Sequence, residues 1–137
     1  MRMISSTLIA VFVLASCAIA PPQEIILKSN SSVETISSNI YRQANKCWAR
    51  TATLWKDGVL VQRSRFEAGN VHKITISRYA SDIGENPFVT VFVSEQDKKS
   101  MISVTEEPYF ASIGGFTTVV VKWIEGSIEC HSERGAP

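Results

Sequence analysis

The chain has 137 residues, 45% of them hydrophobic, and a formal net charge of +1 at pH 7. That length fits one domain with a leader and a tail, and that apolar content excludes a disordered chain. Loss of Arg2 with the leader leaves 13 basic and 13 acidic side chains, which excludes a general nucleic-acid binder, since that function needs surplus Lys and Arg to displace counterions.

Residues 1–16 read as a secretory signal. Arg2 gives a positive start, Ile4 to Leu14 an apolar stretch, and Ala15-Ser16 the small residues that precede a cut. The stretch is shorter than the ~20 residues that a membrane-spanning helix needs. It ends in Leu14-Ala15-Ser16-Cys17, which resembles the lipobox of bacterial lipoproteins: a Leu, two small residues, then the invariant cysteine. The resemblance implies that Cys17 is diacylated on sulfur, becomes the N-terminus and is acylated on its amine. It implies a membrane attachment through lipid, in the bacterial cell envelope. Ala18, rather than Asp, follows the cysteine, which favours the outer membrane with the domain facing the periplasm. Ala18-Ile19-Ala20 also fits the A-x-A pattern of ordinary secretion, which would discard Cys17; Pro21, directly after that cut, disfavours it.

Residues 17–31 read as the lipidated cysteine and a tether, with Pro21-Pro22 and a serine-rich end. Ile25-Ile26-Leu27 interrupts it as an edge strand or a docked segment. Docking is the preferred expectation, because three aliphatics in a row are costly to leave in water.

A single domain is expected over residues 32–130, followed by a polar tail over 131–137. Ser31-x-x-Glu34 matches a capping box, and Val33, Ile36, Ile40, Ala44 and Cys47 follow at steps of three and four. This predicts an amphipathic helix from about 32 to 47. Beyond Trp48 the pattern has period two. Strands are predicted at Arg50–Trp55, Val59–Phe66, Val71–Tyr79, Phe88–Ser94, Ser100–Glu106 and Phe116–Ile124. Lys56-Asp57-Gly58 and the charged tip 95–99 read as hairpin turns, and 80–87 as a longer loop. The expected fold is α+β: one N-terminal helix on a curved antiparallel sheet of about five to six strands.

With Cys17 assigned to lipid, Cys47 and Cys130 remain, and an exported pair is expected to form a disulfide. The alternative is a redox or metal site with His131, but no C-x-x-C pair or second knuckle supports it. No cofactor and no metal are expected. No catalytic residue is assigned: H-E-x-x-H, a phosphate-cradling loop and G-x-S-x-G are all missing from the sequence. His72 is expected as a surface or half-buried strand residue.

Charge is uneven. Residues 50–78 carry a net +4 and residues 79–137 a net −5. The plain expectation is that these segments pair in the sheet and neutralise each other. The sharper one is a basic patch at Arg63 and Arg65 that meets an anionic partner. Tyr109 and Phe110, in the apolar loop 108–115, are a second set of candidate partner contacts, or else a lid on the core. The functional expectation is a non-enzymatic binding or accessory subunit with an envelope protein partner. The alternative is an inhibitor or immunity-type lipoprotein that blocks an envelope-attacking hydrolase.

Overall fold

A computed structural model describes residues 22–49, 58–66, 68, 70–80, 84–107 and 116–130. The elements in chain order are β1 (Gln23–Ser29), α1 (Val33–Cys47), β2 (Val59–Phe66), β3 (Val71–Ala80), β4 (Gly84–Gln96), β5 (Lys99–Glu106) and α2 (Phe116–Ile124). The described residues are α+β, with five antiparallel strands in the order β1-β5-β4-β3-β2 and two helices. Among the described residues no helix is long and apolar enough to cross a membrane.

The topology follows from one crossover. β1 forms one edge of the sheet, and α1 carries the chain across one face to β2 at the other edge. A meander from β2 to β5 then returns to pair with β1. Helix α1 packs on β2, β3 and β4, and α2 lies beside it on β5, so both helices cover the same face. Alternation along the strands sends Ile74 and Ile76, Val89, Val91 and Val93, and Ile102 and Val104 into the core beneath them. From α1 the core receives Val33, Ile36, Ile40, Ala44 and Cys47.

Several local expectations need correction. The helix cap is Ser32 rather than Ser31: the Ser32 hydroxyl accepts from the Thr35 N–H at 3.1 Å. Glu34 does not close a capping box: with Ser32 as the cap, Thr35 takes the position three residues on, and the Glu34 carboxylate pairs with two arginines instead. Residues 23–29, expected in the tether, are the edge strand β1. Residues 84–87, expected in a loop, begin β4, and the register shifts beside them between Ile76 and Ser77. The predicted strand Arg50–Trp55 and most of its turn lie outside the described residues.

The largest correction is the predicted strand Phe116–Ile124, which is α2. Its run of Thr and Val has strong β preference. Yet Phe116, Val119, Val120 and Trp123 also recur at helical spacing, and all four are fully buried. Burial of that stripe outweighs propensity differences of a few tenths of a kcal/mol per residue.

One disulfide joins Cys47 at the end of α1 to Cys130, with Cα atoms 5.1 Å apart. Beside it Trp48 packs edge-on against Phe116, with ring centres 5.2 Å apart, and against Trp123 at 4.6 Å. Phe88 completes the cluster, 4.8 Å from Phe116. Trp123 also ties three segments together. Its indole N–H donates to the Glu129 carbonyl at 2.7 Å, and its own carbonyl accepts from Asn39 of α1 at 2.7 Å.

Candidate functional site

The two arginines singled out in the sequence lie on β2 at alternate positions, so they share a face. Register places Arg63 opposite Ile74 and Arg65 opposite His72, and His72 and Ile74 are both buried. The shared face is therefore the one beneath the helices. The first turns of α1 lie over it and present Glu34, Ser37 and Ser38, at the spacing of one helical face.

These six side chains form one network. The Arg63 guanidinium donates to Glu34 Oε1 at 2.8 Å and to Ser38 Oγ at 3.1 Å. Arg65 ion-pairs with the other oxygen of Glu34 and donates from Nε to His72 Nε2 at 3.1 Å. Ser38 Oγ donates to Glu34 Oε1 at 2.9 Å. The Arg63 hydrogen bond, the Ser38 hydrogen bond and the two positive charges lower the pKa of Glu34 from its ordinary 4.5 to about 2, against a small opposing effect of desolvation. Neutralisation therefore comes from α1, not from strand pairing: β3, the partner of β2, is itself basic, with Lys73 and Arg78.

His72 is 1% exposed, which corrects its expected surface or half-buried place. Ser37 Oγ lies 2.5 Å from its Nδ1. With Glu34 Oε2 3.8 Å from Nε2, the trio has the residue types of a hydrolytic triad. The surroundings of the imidazole oppose that use. Arg65 Nε donates to His72 Nε2, and the Arg63 guanidinium lies 3.2 Å from Nδ1, so a donor-only group faces each ring nitrogen. A general base needs one nitrogen free to accept from the nucleophile's hydroxyl, and here Arg63 competes with Ser37 for Nδ1. Burial, then Arg63 and Arg65, push the His72 pKa down and keep it neutral, against the opposing pull of Glu34. Ser37 is fully buried and out of reach of a substrate. The network clamps α1 to β2 and β3.

Exposure separates the two arginines. The Arg63 side chain is 24% exposed, whereas that of Arg65 is 60% exposed. With Glu34 ionised and His72 neutral, two cations face one anion, and Arg65 carries the surplus charge to the surface. A groove of about 510 Å³ adjoins the cluster between α1 and the end of α2, lined by Glu34, Asn39, Arg42 and Glu125. Among the described residues, no three His, Cys, Asp or Glu side chains are grouped to hold a metal ion.

The opposite face of the sheet is not covered by either helix. Register aligns Ile26, Ser103, Phe92, Lys73 and Ser64 in one row across all five strands. Below them run Glu24, Thr105, Thr90, Thr75 and Gln62. Ile26 is 62% exposed, Phe66 48% and Phe92 38%. The Lys73 ammonium lies 5.5 Å from the centre of the Phe92 ring, within cation–π range. The sequence reading missed this surface. The signal was available in β4, where Thr90, Phe92 and Ser94 alternate with Val89, Val91 and Val93.

The remaining candidates divide simply. Cys47 and Cys130 are disulfide-bonded. Cys17, Tyr109, Phe110 and His131 lie outside the described residues. Comparison of the chain with protein-family models, with curated proteins and with solved structures finds no match.

Proposed function

We propose that the chain is a lipid-anchored envelope lipoprotein that acts as a non-enzymatic binding or accessory subunit. The anchor reading rests on the signal segment and the lipobox-like Leu14-Ala15-Ser16-Cys17. The disulfide is in keeping with an oxidising compartment. The binding reading rests on one observation: a five-stranded face without a helix on it that exposes Ile26, Phe66 and Phe92. Ile26 and Phe92 lie in one row of that face with Ser103 between them, and exposed aromatics set among hydroxyls suit a contact surface. The surplus charge at Arg65 adds a second contact, suited to an anionic partner.

The tether in this reading is short. Five residues separate Cys17 from Gln23, and the six steps along the backbone reach roughly 20 Å when fully extended. Anchoring at that distance would raise the local concentration of the domain near an envelope partner, so a weak contact would suffice. Three acyl chains would hold it there, since one alone binds only marginally.

In-cell crosslinking from the open face, followed by mass spectrometry of the partner and of the N-terminal peptide, tests both parts. The expected result is a membrane-complex subunit crosslinked near Phe92 and an acylated Cys17. An unacylated or different N-terminus overturns the anchor. A soluble hydrolase captured and suppressed would instead support the inhibitor-type alternative.

A further inference from the structure

The edge strand β1 has an order of residues that is complementary to its own reverse. Gln23-Glu24-Ile25-Ile26-Leu27-Lys28-Ser29 is polar, acidic, three apolar, basic, polar. A second β1 laid antiparallel against it, with a two-fold axis at Ile26, would match every position. Glu24 would face Lys28 of the copy, Ile25 would face Leu27, Ile26 would face Ile26, and Gln23 would face Ser29. Cross-strand pairs of opposite charge and of aliphatics are the favourable pairs of an antiparallel ladder.

We propose that β1 is a homodimerisation edge, through which two copies of this chain join their sheets into one of ten strands.

Three observations support a second copy as the occupant. Ile25 and Ile26 are 39% and 62% exposed on an edge seven residues long, without proline or bulge to blunt it. The charges at Glu24 and Lys28 are complementary only to an antiparallel copy in this register; a one-residue slip would move Ile26 to the wrong face. The opposite edge behaves differently. β2 holds Arg63 and Arg65 and no acid of its own, so a copy of itself would bring like charges together. Isologous pairing of this kind closes after two copies, because each β1 is consumed. It would also merge the two open faces through Ile26, doubling the surface proposed above for a partner, although the pairing does not depend on that reading.

The test uses the full-length chain in cells and purified in detergent. In the Ile26→Cys variant the two substituted side chains meet at the two-fold axis, where facing Cβ atoms are about 4.5–5.5 Å apart, close enough to bridge. A dimer is expected on a non-reducing gel, and none from the parent chain. The Ile25→Cys variant should give none, because position 25 faces position 27. Lys28→Glu should weaken dimerisation about tenfold by placing acids opposite acids. Adding Glu24→Lys to Lys28→Glu should restore it, since the pattern is again self-complementary. A monomer at all concentrations overturns the proposal. So does crosslinking of position 26 to another protein, or charge variants that dimerise as the parent does.

Discussion

The carboxylate of Glu106, at the last position of β5, accepts the backbone N–H of Thr117 in the first turn of α2 at 3.1 Å, and the Thr117 hydroxyl bonds to the same oxygen. A helix start is thus capped by a strand residue eleven positions earlier. The carboxylate satisfies a free N–H and meets the positive end of the helix dipole. Glu106→Ala should cost about 1–2 kcal/mol, the range for loss of a cap. Glu106→Gln, which keeps an acceptor oxygen, should cost less. Urea unfolding of the three proteins checks the order, and equal stability of parent and alanine variant would remove the cap from the account.

Acid should weaken the clamp in two stages. His72 has a pKa below its ordinary 6.5, so below that pH the unfolded chain binds a proton that the folded chain refuses. Stability is full above about 6.5 and falls as pH drops. Glu34 also has a depressed pKa, so its contribution is present above 4.5 and is lost as pH falls toward about 2. Melting temperature between pH 8 and pH 3 should therefore decline in two limbs. His72→Gln should flatten the upper limb and Glu34→Gln the lower. An unchanged slope between pH 7 and pH 5 in His72→Gln would show that another group controls it.

The bridge between Cys47 and Cys130 spans 83 residues. Closing so long a loop removes much entropy from the unfolded chain, and its loss should cost about 2–5 kcal/mol. Cys130→Ser should show that loss under oxidising conditions. Parent and variant should converge when both are reduced. A gap that survives reduction would assign the loss to packing around Trp48 and Trp123 instead.

The turn between β4 and β5 has two residues, Asp97 and Lys98, with φ of 51° and 61°. This is the left-handed geometry of a type I′ hairpin, which favours glycine at its second position. Lys98→Gly should stabilise the protein by up to about 1 kcal/mol, a rise of several degrees in melting temperature for a domain this small. A lower melting temperature would mean that the lysine side chain contributes more than its backbone strain costs.

Arg63 and Arg65 should behave unequally. Arg63 bonds both Glu34 and Ser38 and is mostly covered, whereas Arg65 is largely exposed. Arg63→Ala should therefore lower stability more than Arg65→Ala, and Arg65→Glu should do more to weaken an anionic contact. The first is read by urea unfolding and the second by salt-dependent binding to the crosslinked partner. Equal losses from both alanine variants would refute the asymmetry.

Patterns complete within a few residues were legible without the fold. Val33, Ile36, Ile40, Ala44 and Cys47 carry a helical period within fifteen residues, and the alternation in β3 and β5 is equally local. The pairing of Cys47 with Cys130 was legible because few cysteines leave few pairings. That Arg63 and Arg65 share a face follows from strand geometry alone. Which face it is, and what neutralises it, depends on where α1 crosses, and no local pattern encodes a crossover.

The sequence by itself determined the periods, the parity of each strand, the thiol pairing and the chemical symmetry of residues 23–29. The tertiary structure decided the rest. It made 116–124 a helix against its own β preference, because burial of Phe116 and Trp123 under α1 and a cap from Glu106 outweigh the preference of isolated residues. It drew residues 23–29 from the tether into the sheet, because β5 offered an unpaired edge. It buried His72 by laying α1 over it. In each case the deciding partner is distant in the chain, so the local pattern leaves the outcome open: residues 116–124 fit a strand by propensity and a helix by the spacing of Phe116, Val119, Val120 and Trp123, and burial decides.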